Sequence, residues 1–196
     1  MKFFEAKKDP YRELAKEQGY RSRSAFKLIQ MNNCYHILRT GSNVIDLGCA
    51  PGGWLQVAKK VCRGKILGVD LKKVEPVADA ILLQGNIEDQ ATVNKIIKIL
   101  NGMADVVLSD LAPDVSGTWD IVHKKQISLT WSALGTAQKV LKKDGCAIFK
   151  IYQGDLQNEL ISELKRNFDR VILSKPGASR QQSREMYVVC LNFKST

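Results

Sequence analysis

The sequence predicts an α/β protein, with a mainly parallel sheet of seven strands and helices on both faces. Three observations carry this. Short apolar runs alternate with helical patterns along the whole chain. The runs are continuously apolar, as in strands buried on both faces, and do not alternate apolar with polar. One run stops abruptly at a glycine-rich turn, Asp46-Leu47-Gly48-Cys49-Ala50-Pro51-Gly52-Gly53-Trp54, which opens a helix. Such strand–turn–helix units build parallel sheets covered on both faces.

Residues 10–37 read as helical, with apolar or aromatic side chains at Tyr11, Leu14, Ala15, Phe26, Leu28 and Ile29. Basic residues punctuate this N-terminal segment at Lys7, Lys8, Arg12, Lys16, Arg21, Arg23 and Lys27. Gly41 gives a turn before the first strand, 43–47, and a helix follows over about 53–61. Further strands are expected at 65–70, ending in Asp70, and at 80–84. A fourth at 104–108 leads into Ser109-Asp110-Leu111-Ala112-Pro113, and a fifth covers 146–152. Helices are expected at 90–100, 126–141 and 156–168. Only a polar loop, 175–184, separates the last two strands, 170–174 and 186–192. They are therefore expected to pair as a hairpin that adds one antiparallel edge strand. The longest irregular stretch is 113–125, and long ordered loops beside strand ends are often functional.

At 196 residues the chain is long enough for one domain with a real core. It is read as a single domain over 1–196, with residues 1–40 as a basic helical segment. Thirty Lys and Arg against twenty Asp and Glu give a net charge of +10, which favours polyanionic partners. The five cysteines, Cys34, Cys49, Cys62, Cys146 and Cys190, contain no C-x-x-C pair. That argues against zinc, and the reading carries no metal site. Scattered thiols suit a reducing compartment. No apolar run reaches membrane-spanning length. The start, Met1-Lys2-Phe3-Phe4-Glu5, does not read as a signal peptide. With no targeting segment visible, the expected location is the cytoplasm or an organelle (mitochondrion or plastid).

In an open parallel sheet, ligands sit outside the carboxyl ends of the strands. Four features converge there: the turn from Asp46 to Trp54, Asp70 with Leu71, Asn86 with Ile87, and Asp110. Asp70 stands where a carboxylate can hold ribose hydroxyls, and Asn86 where it can touch a base edge. The glycine pattern Gly48-x-x-x-Gly52-Gly53 is not that of a dinucleotide or phosphate loop. Asp46, Asp70 and Asp110 would repel a pyrophosphate but accept a cationic sulfonium with an amino-acid tail. The expected cofactor is therefore S-adenosylmethionine. Trp54 is either core or a wall of that pocket.

Lys27, Asp110, Lys150 and Glu185 interrupt apolar runs where charge is rarely buried unless paired. Methyl transfer from a sulfonium to a ribose hydroxyl needs an aligned pair of reactants and a base. A lysine becomes that base when burial and a second lysine lower its pKa, while a carboxylate fixes its direction. The expected roles are Lys150 as base, Asp110 orienting it, and Lys27 and Glu185 completing the site. Each, taken alone, could equally be a structural ion pair.

These segments resemble the FtsJ/RrmJ family of ribose 2′-O-methyltransferases. The matching pieces are Tyr20-Arg21-Ser22-Arg23-Ser24-Ala25-Phe26-Lys27-Leu28, the turn from Asp46 to Trp54, and Ser109-Asp110-Leu111-Ala112-Pro113. Phe149-Lys150-Ile151-Tyr152-Gln153-Gly154 and Ser183-Arg184-Glu185-Met186-Tyr187 follow in order. The resemblance implies a Rossmann-like S-adenosylmethionine-dependent methyltransferase fold. It places a K-D-K-E tetrad on Lys27, Asp110, Lys150 and Glu185, and cofactor contacts on Gly52, Trp54, Asp70 and Asp110. Bacterial members typically carry Asp at the position of Asn86; Asn can still donate and accept at an adenine edge.

The resemblance also implies an RNA acceptor, expected to be a uridine of large-subunit ribosomal RNA, with the protein acting as a monomer. Arg12, Arg21 and Arg23 of the N-terminal segment and Lys175, Arg180 and Arg184 of the last loop are expected to contact phosphates. Tyr20, Trp119 and Tyr152 are candidates to stack on the target nucleoside or to sit in the core. His123 reads as a lone histidine in a flexible loop and a poor base. The alternatives are methylation of a tRNA anticodon loop and a non-catalytic RNA-binding assembly factor. An NAD-binding oxidoreductase is disfavoured by the glycine spacing.

Overall fold

The computed structural model describes residues 9–101, 103–113 and 117–194. In chain order its elements are α1 (Pro10–Glu17), α2 (Ser24–Tyr35), β1 (Val44–Leu47), α3 (Gly53–Val61), β2 (Ile66–Asp70), β3 (Ile81–Gln84) and α4 (Gln90–Leu100). Then come β4 (Ala104–Ser109), α5 (Trp119–Val140), β5 (Leu141–Tyr152), α6 (Gln157–Asn167), β6 (Phe168–Ser174) and β7 (Glu185–Phe193). Lys7 and Lys8, and Asp114, Val115 and Ser116 of the expected 113–125 loop, lie outside the described residues.

The strands form one sheet in the order β3-β2-β1-β4-β5-β7-β6. Strands β3, β2, β1, β4 and β5 pair parallel, and β7 pairs antiparallel with both β5 and β6. The expected hairpin of the last two strands is present at one edge. The antiparallel member, however, is β7, inserted between β5 and β6, and not the outermost strand. The short loop after β6 keeps β7 beside it, and the other edge of β7 pairs with β5.

Successive strand residues face opposite sides of the sheet, and two cores result. Ile45, Leu47, Val69, Val107 and Phe149 belong to the core that includes α4, α5 and α6. Val44, Ile66, Val106, Leu108, Ile148 and Tyr187 belong to the core that includes α2 and α3.

The N-terminal helical reading needs one correction. It splits into two helices, because Gly19 adopts a left-handed φ of +71° just after α1 ends. At its start, α1 is capped by Asp9, whose carboxylate accepts from the Arg12 backbone N–H, with Pro10 at the first position. The 113–125 stretch also differs from its reading as irregular. Trp119 already begins α5, so the segment from there to Lys125 is helical.

Candidate active site

Between β1 and α3 the chain turns through residues 48–52. Gly48 and Gly52 take φ values of +78° and +108°, which a side chain with a Cβ rarely adopts. A Cβ on Gly48 would lie 2.7 Å from Leu111, so the segment after β4 closes directly over this turn. Asp70, at the end of β2, ties the turn down. Its Oδ2 accepts from the Ala50 N–H at 2.9 Å and its Oδ1 from the Lys72 N–H at 2.8 Å. Each oxygen retains a lone pair for a ligand.

Above the turn lies a cavity of about 600 Å³, within the range of small-molecule sites. Gly48, Ala50, Asp70, Leu71 and Asp110 line it, as expected from the sequence. Leu71 is 66% exposed, an apolar surface at the cavity rim. Lys72, Glu88, Lys125, Ser128 and Leu129 also line it and were not anticipated. The last three share one face of α5 by their i, i+3, i+4 spacing; Ser128 and Leu129 lie in the helix expected at 126–141, and Lys125 in the stretch read as loop.

Asp46 on β1 is fully buried, and neither carboxylate oxygen has a hydrogen-bond partner. Burial first, then the charges of Asp110 and Asp70, push its carboxyl well above the ordinary carboxylate range. Asp46 itself does not line the cavity; the Asp70 and Asp110 carboxylates that do fit a cationic ligand and oppose a phosphate.

The charged tetrad assembles next to this cavity. Lys150 on β5 stands directly across from Tyr187 on β7 and is only 6% exposed. Its Nζ donates to the backbone oxygen of Asp110 at 2.7 Å and to Asp110 Oδ1 at 3.1 Å. Lys27 on α2 lies 2.5 Å from Glu185 Oε1. Ser179 Oγ donates to the same oxygen at 3.0 Å. Because β7 runs antiparallel, its first residue, Glu185, sits opposite Tyr152, the last of β5. That reversal brings Glu185 to the edge where the parallel strands end.

Sequence reasoning missed the group that joins the two ion pairs. The buried Tyr187 hydroxyl donates to Asp110 Oδ1 at 2.8 Å and accepts from Lys27 Nζ at 3.3 Å. Burial, with the nearby charges of Asp110 and Glu185, raises the phenol well above its usual value, so it stays a donor. Gln126 and Thr130, also unanticipated, hold β5 at the base position. Gln126 Nε2 and Thr130 Oγ1 each donate to the Lys150 carbonyl at 3.0 Å.

Several expected cofactor residues are placed elsewhere. Trp54 is core, not a cavity wall: it is 2% exposed, its indole N–H donates to the Ser24 carbonyl at 2.8 Å, and it packs on Tyr187. Gly52 and Gly53 make room for protein. A Cβ on the first would meet Arg21, and one on the second would meet Ser22. Pro51 gives its carbonyl to Arg21 Nη1 at 3.1 Å. Asn86 turns its Oδ1 to the Glu88 N–H at 3.0 Å, and Ile87 is buried; neither lines the cavity.

The expected RNA-contact residues also divide. The Arg21 guanidinium holds the carbonyls of Pro51, Glu75 and Pro76. Arg23 holds the Ala178 carbonyl and Asp9. Both therefore brace the protein internally. Lys175 Nζ donates to the carbonyls of Gln181 and Ser183, and Arg180 lies 3.8 Å from Asp9. The two basic patches thus meet through Asp9 and Ala178. Arg12 is exposed, and Arg184 lies over the Trp119 ring. His123 is buried in α5, its Nε2 accepting from the Leu156 N–H at 3.4 Å, and is not part of a flexible loop.

A parallel sheet that presents a cation-compatible cavity beside two linked lysine–carboxylate pairs is the scaffold of a methyltransferase. The model of the FtsJ-like methyltransferase family matches residues 20–193, and the chain belongs to that family. It is 46% identical over 195 residues to the ribosomal RNA large subunit methyltransferase E of Nitrosopumilus maritimus, covering 98% of this chain and 99% of the relative. The protein of the same name from Methanothrix thermoacetophila is 47% identical over 182 residues, covering 93% and 71%. Among solved structures, a ribosomal RNA methyltransferase from Plasmodium falciparum superposes with a TM-score of 0.81 at 34% identity, covering 89% of this chain and 98% of that one.

Proposed function

We propose that this enzyme transfers a methyl group from S-adenosylmethionine to a ribose 2′-hydroxyl of large-subunit ribosomal RNA. The observation that carries this reading is the network in which Tyr187 joins Lys150–Asp110 to Lys27–Glu185. The names of the relatives support the RNA class.

When bound, the cofactor supplies a methyl group on a positively charged sulfur. Gly48, Ala50, Asp70 and Leu71 would hold it, and the Asp70 and Asp110 carboxylates that line the cavity would favour its positive charge. The remaining chemistry belongs to side chains. A neutral lysine amine has two N–H groups and one lone pair. Both N–H directions of Lys150 are taken by Asp110, so the lone pair is the position left for the proton of the 2′-hydroxyl. When the 2′-hydroxyl takes the methyl group that the cofactor would supply, its proton would pass to Lys150 Nζ. Asp110 then faces a full ammonium, which it stabilises. Tyr187 fixes the Asp110 carboxylate, and Glu185 keeps Lys27 in place.

Lys175, Arg180, Arg184 and Arg12 are proposed to guide the RNA backbone, with Arg21 and Arg23 shaping the surface beneath them. The chain carries every member of the network itself, which supports action as a monomer through one catalytic domain. The test is labelled methyl transfer to fractionated RNA and ribosomal subunits, followed by mapping of the modified nucleotide. The reading expects a 2′-O-methylated uridine in large-subunit RNA. Methylation of tRNA alone would overturn the substrate, and no transfer to any RNA would overturn the reading.

A further inference from the structure

A second cavity, of about 350 Å³, opens on the other side of the tetrad. Trp119, Tyr152, Ser183, Arg184 and Glu185 line it. The cofactor cavity reaches the network at Asp110, and this one reaches it at Glu185. The network therefore separates two compartments, one of which the cofactor reading leaves unexplained.

The walls of the second compartment are aromatic and cationic. The Trp119 and Tyr152 rings lie 5.7 Å apart, inclined at 37°. The Arg184 guanidinium sits 4.5 Å from the centre of the Trp119 ring. The buried His123 stacks on Trp119 at 6.1 Å and 18°, which braces the indole. Tyr152 is fixed in register opposite Glu185, and Arg184 is held by its carbonyl, which accepts from the Gln153 N–H at 2.9 Å. A π face already covered by a planar guanidinium is one that a planar base can share or take over. Exposed Lys124 on the same helix favours an anionic backbone nearby.

We infer that Trp119, Tyr152 and Arg184 form a stacking slot for the base of the nucleotide whose ribose is methylated. This rests on the RNA reading above and extends it to one subsite. The base is one glycosidic bond from its ribose, so a base in the slot puts the sugar at the Glu185 end of the network. Of the tetrad, Glu185 then lines the side of the acceptor base and Asp110 that of the cofactor, with Lys150, bound to Asp110, at the ribose between them.

The test varies the mapped RNA substrate at saturating cofactor. Trp119→Ala is expected to lower kcat/KM for RNA by about 10- to 100-fold, the usual loss when a stacking ring is removed. Cofactor affinity should stay within about twofold of wild type, and Trp119→Phe should restore most of the loss. An RNA lacking the base at the target ribose should cost the wild type a similar factor. Combining that RNA with Trp119→Ala should cost no more than either change alone. Unchanged kinetics of Trp119→Ala, losses that multiply, or an abasic RNA used as well as the intact one would each overturn the slot. If Trp119→Ala no longer binds cofactor, the abasic comparison on the wild type decides alone. Absence of any methyl transfer by the wild type would instead refute the RNA reading itself.

Discussion

Replacing Tyr187 with Phe removes a single oxygen from the centre of the network and leaves the ring packed on Trp54 at 5.8 Å. Two contacts go with it: the 2.8 Å bond to Asp110 Oδ1 and the weaker 3.3 Å contact from Lys27. A hydrogen bond to a charged group is worth about 1.5–3 kcal/mol. Asp110 keeps its bond from Lys150, and Lys27 keeps Glu185, so the stability loss should fall at the low end, about 1–2 kcal/mol. For a chain of this size that lowers Tm by roughly 2–8 °C in a thermal melt. If most of the lost bond acts on Asp110 in the transition state, kcat drops roughly tenfold, equivalent to about 1.4 kcal/mol. Cofactor affinity, measured by calorimetric titration, should be preserved. The double variant with Lys27→Ala should lose less than the sum of the two single losses, because both act through one hydroxyl. An unchanged Tm together with an unchanged kcat would refute the bridging role. Strict additivity with Lys27→Ala would refute the link between the two pairs.

Lys150→Ala should abolish methyl transfer while titration still shows cofactor binding; measurable turnover would remove Lys150 from the base role. Asp70→Ala loses the bond to Ala50 that holds the turn, together with the bond to Lys72, and should weaken cofactor binding by roughly 10- to 100-fold, well before kcat suffers. Asp46→Asn concerns pH. The folded carboxyl sits above its ordinary value of about 3.8, so the folded state binds the proton more tightly than the unfolded chain. Its stabilising contribution is complete below that value and is lost as pH rises through the raised folded one. Urea unfolding of wild type should therefore weaken from pH 4 towards alkaline pH relative to Asp46→Asn, and parallel curves would contradict the assignment.

Much of this fold was legible because apolar runs mark strands buried on both faces, and because each turn bears its own punctuation. Gln90–Leu100 and Gly53–Val61 fall where the pattern put them. The N-terminal helix was read through Gly19, since the apolar pattern resumes in phase beyond it while the backbone does not. The tetrad was visible because charge inside an apolar run is conspicuous. Tyr187 was not, because an aromatic residue in a strand is unremarkable until the register sets it opposite Lys150. Trp54 and the glycines beside it illustrate the converse. A conspicuous motif was read as ligand contact, whereas Gly52 and Gly53 admit Arg21 and Ser22, and the indole fastens α2. Long-range packing of this kind leaves no local signature. The basic residues were countable, but only the structure shows that Arg21 and Arg23 are occupied by carbonyls of the protein itself.

The placement of β7 has a consequence for how the chain is made. As synthesis proceeds from the N-terminus, β6 emerges before the strand that will separate it from β5. Until residues 185–193 arrive, β5 presents an unpaired hydrogen-bonding edge, and β6 has no place in the sheet. Such an edge invites pairing with other chains. Enzyme activity and protection from aggregation therefore arrive together, with the insertion of the last strand. A nascent chain stalled before Glu185 would be both inert and adhesive.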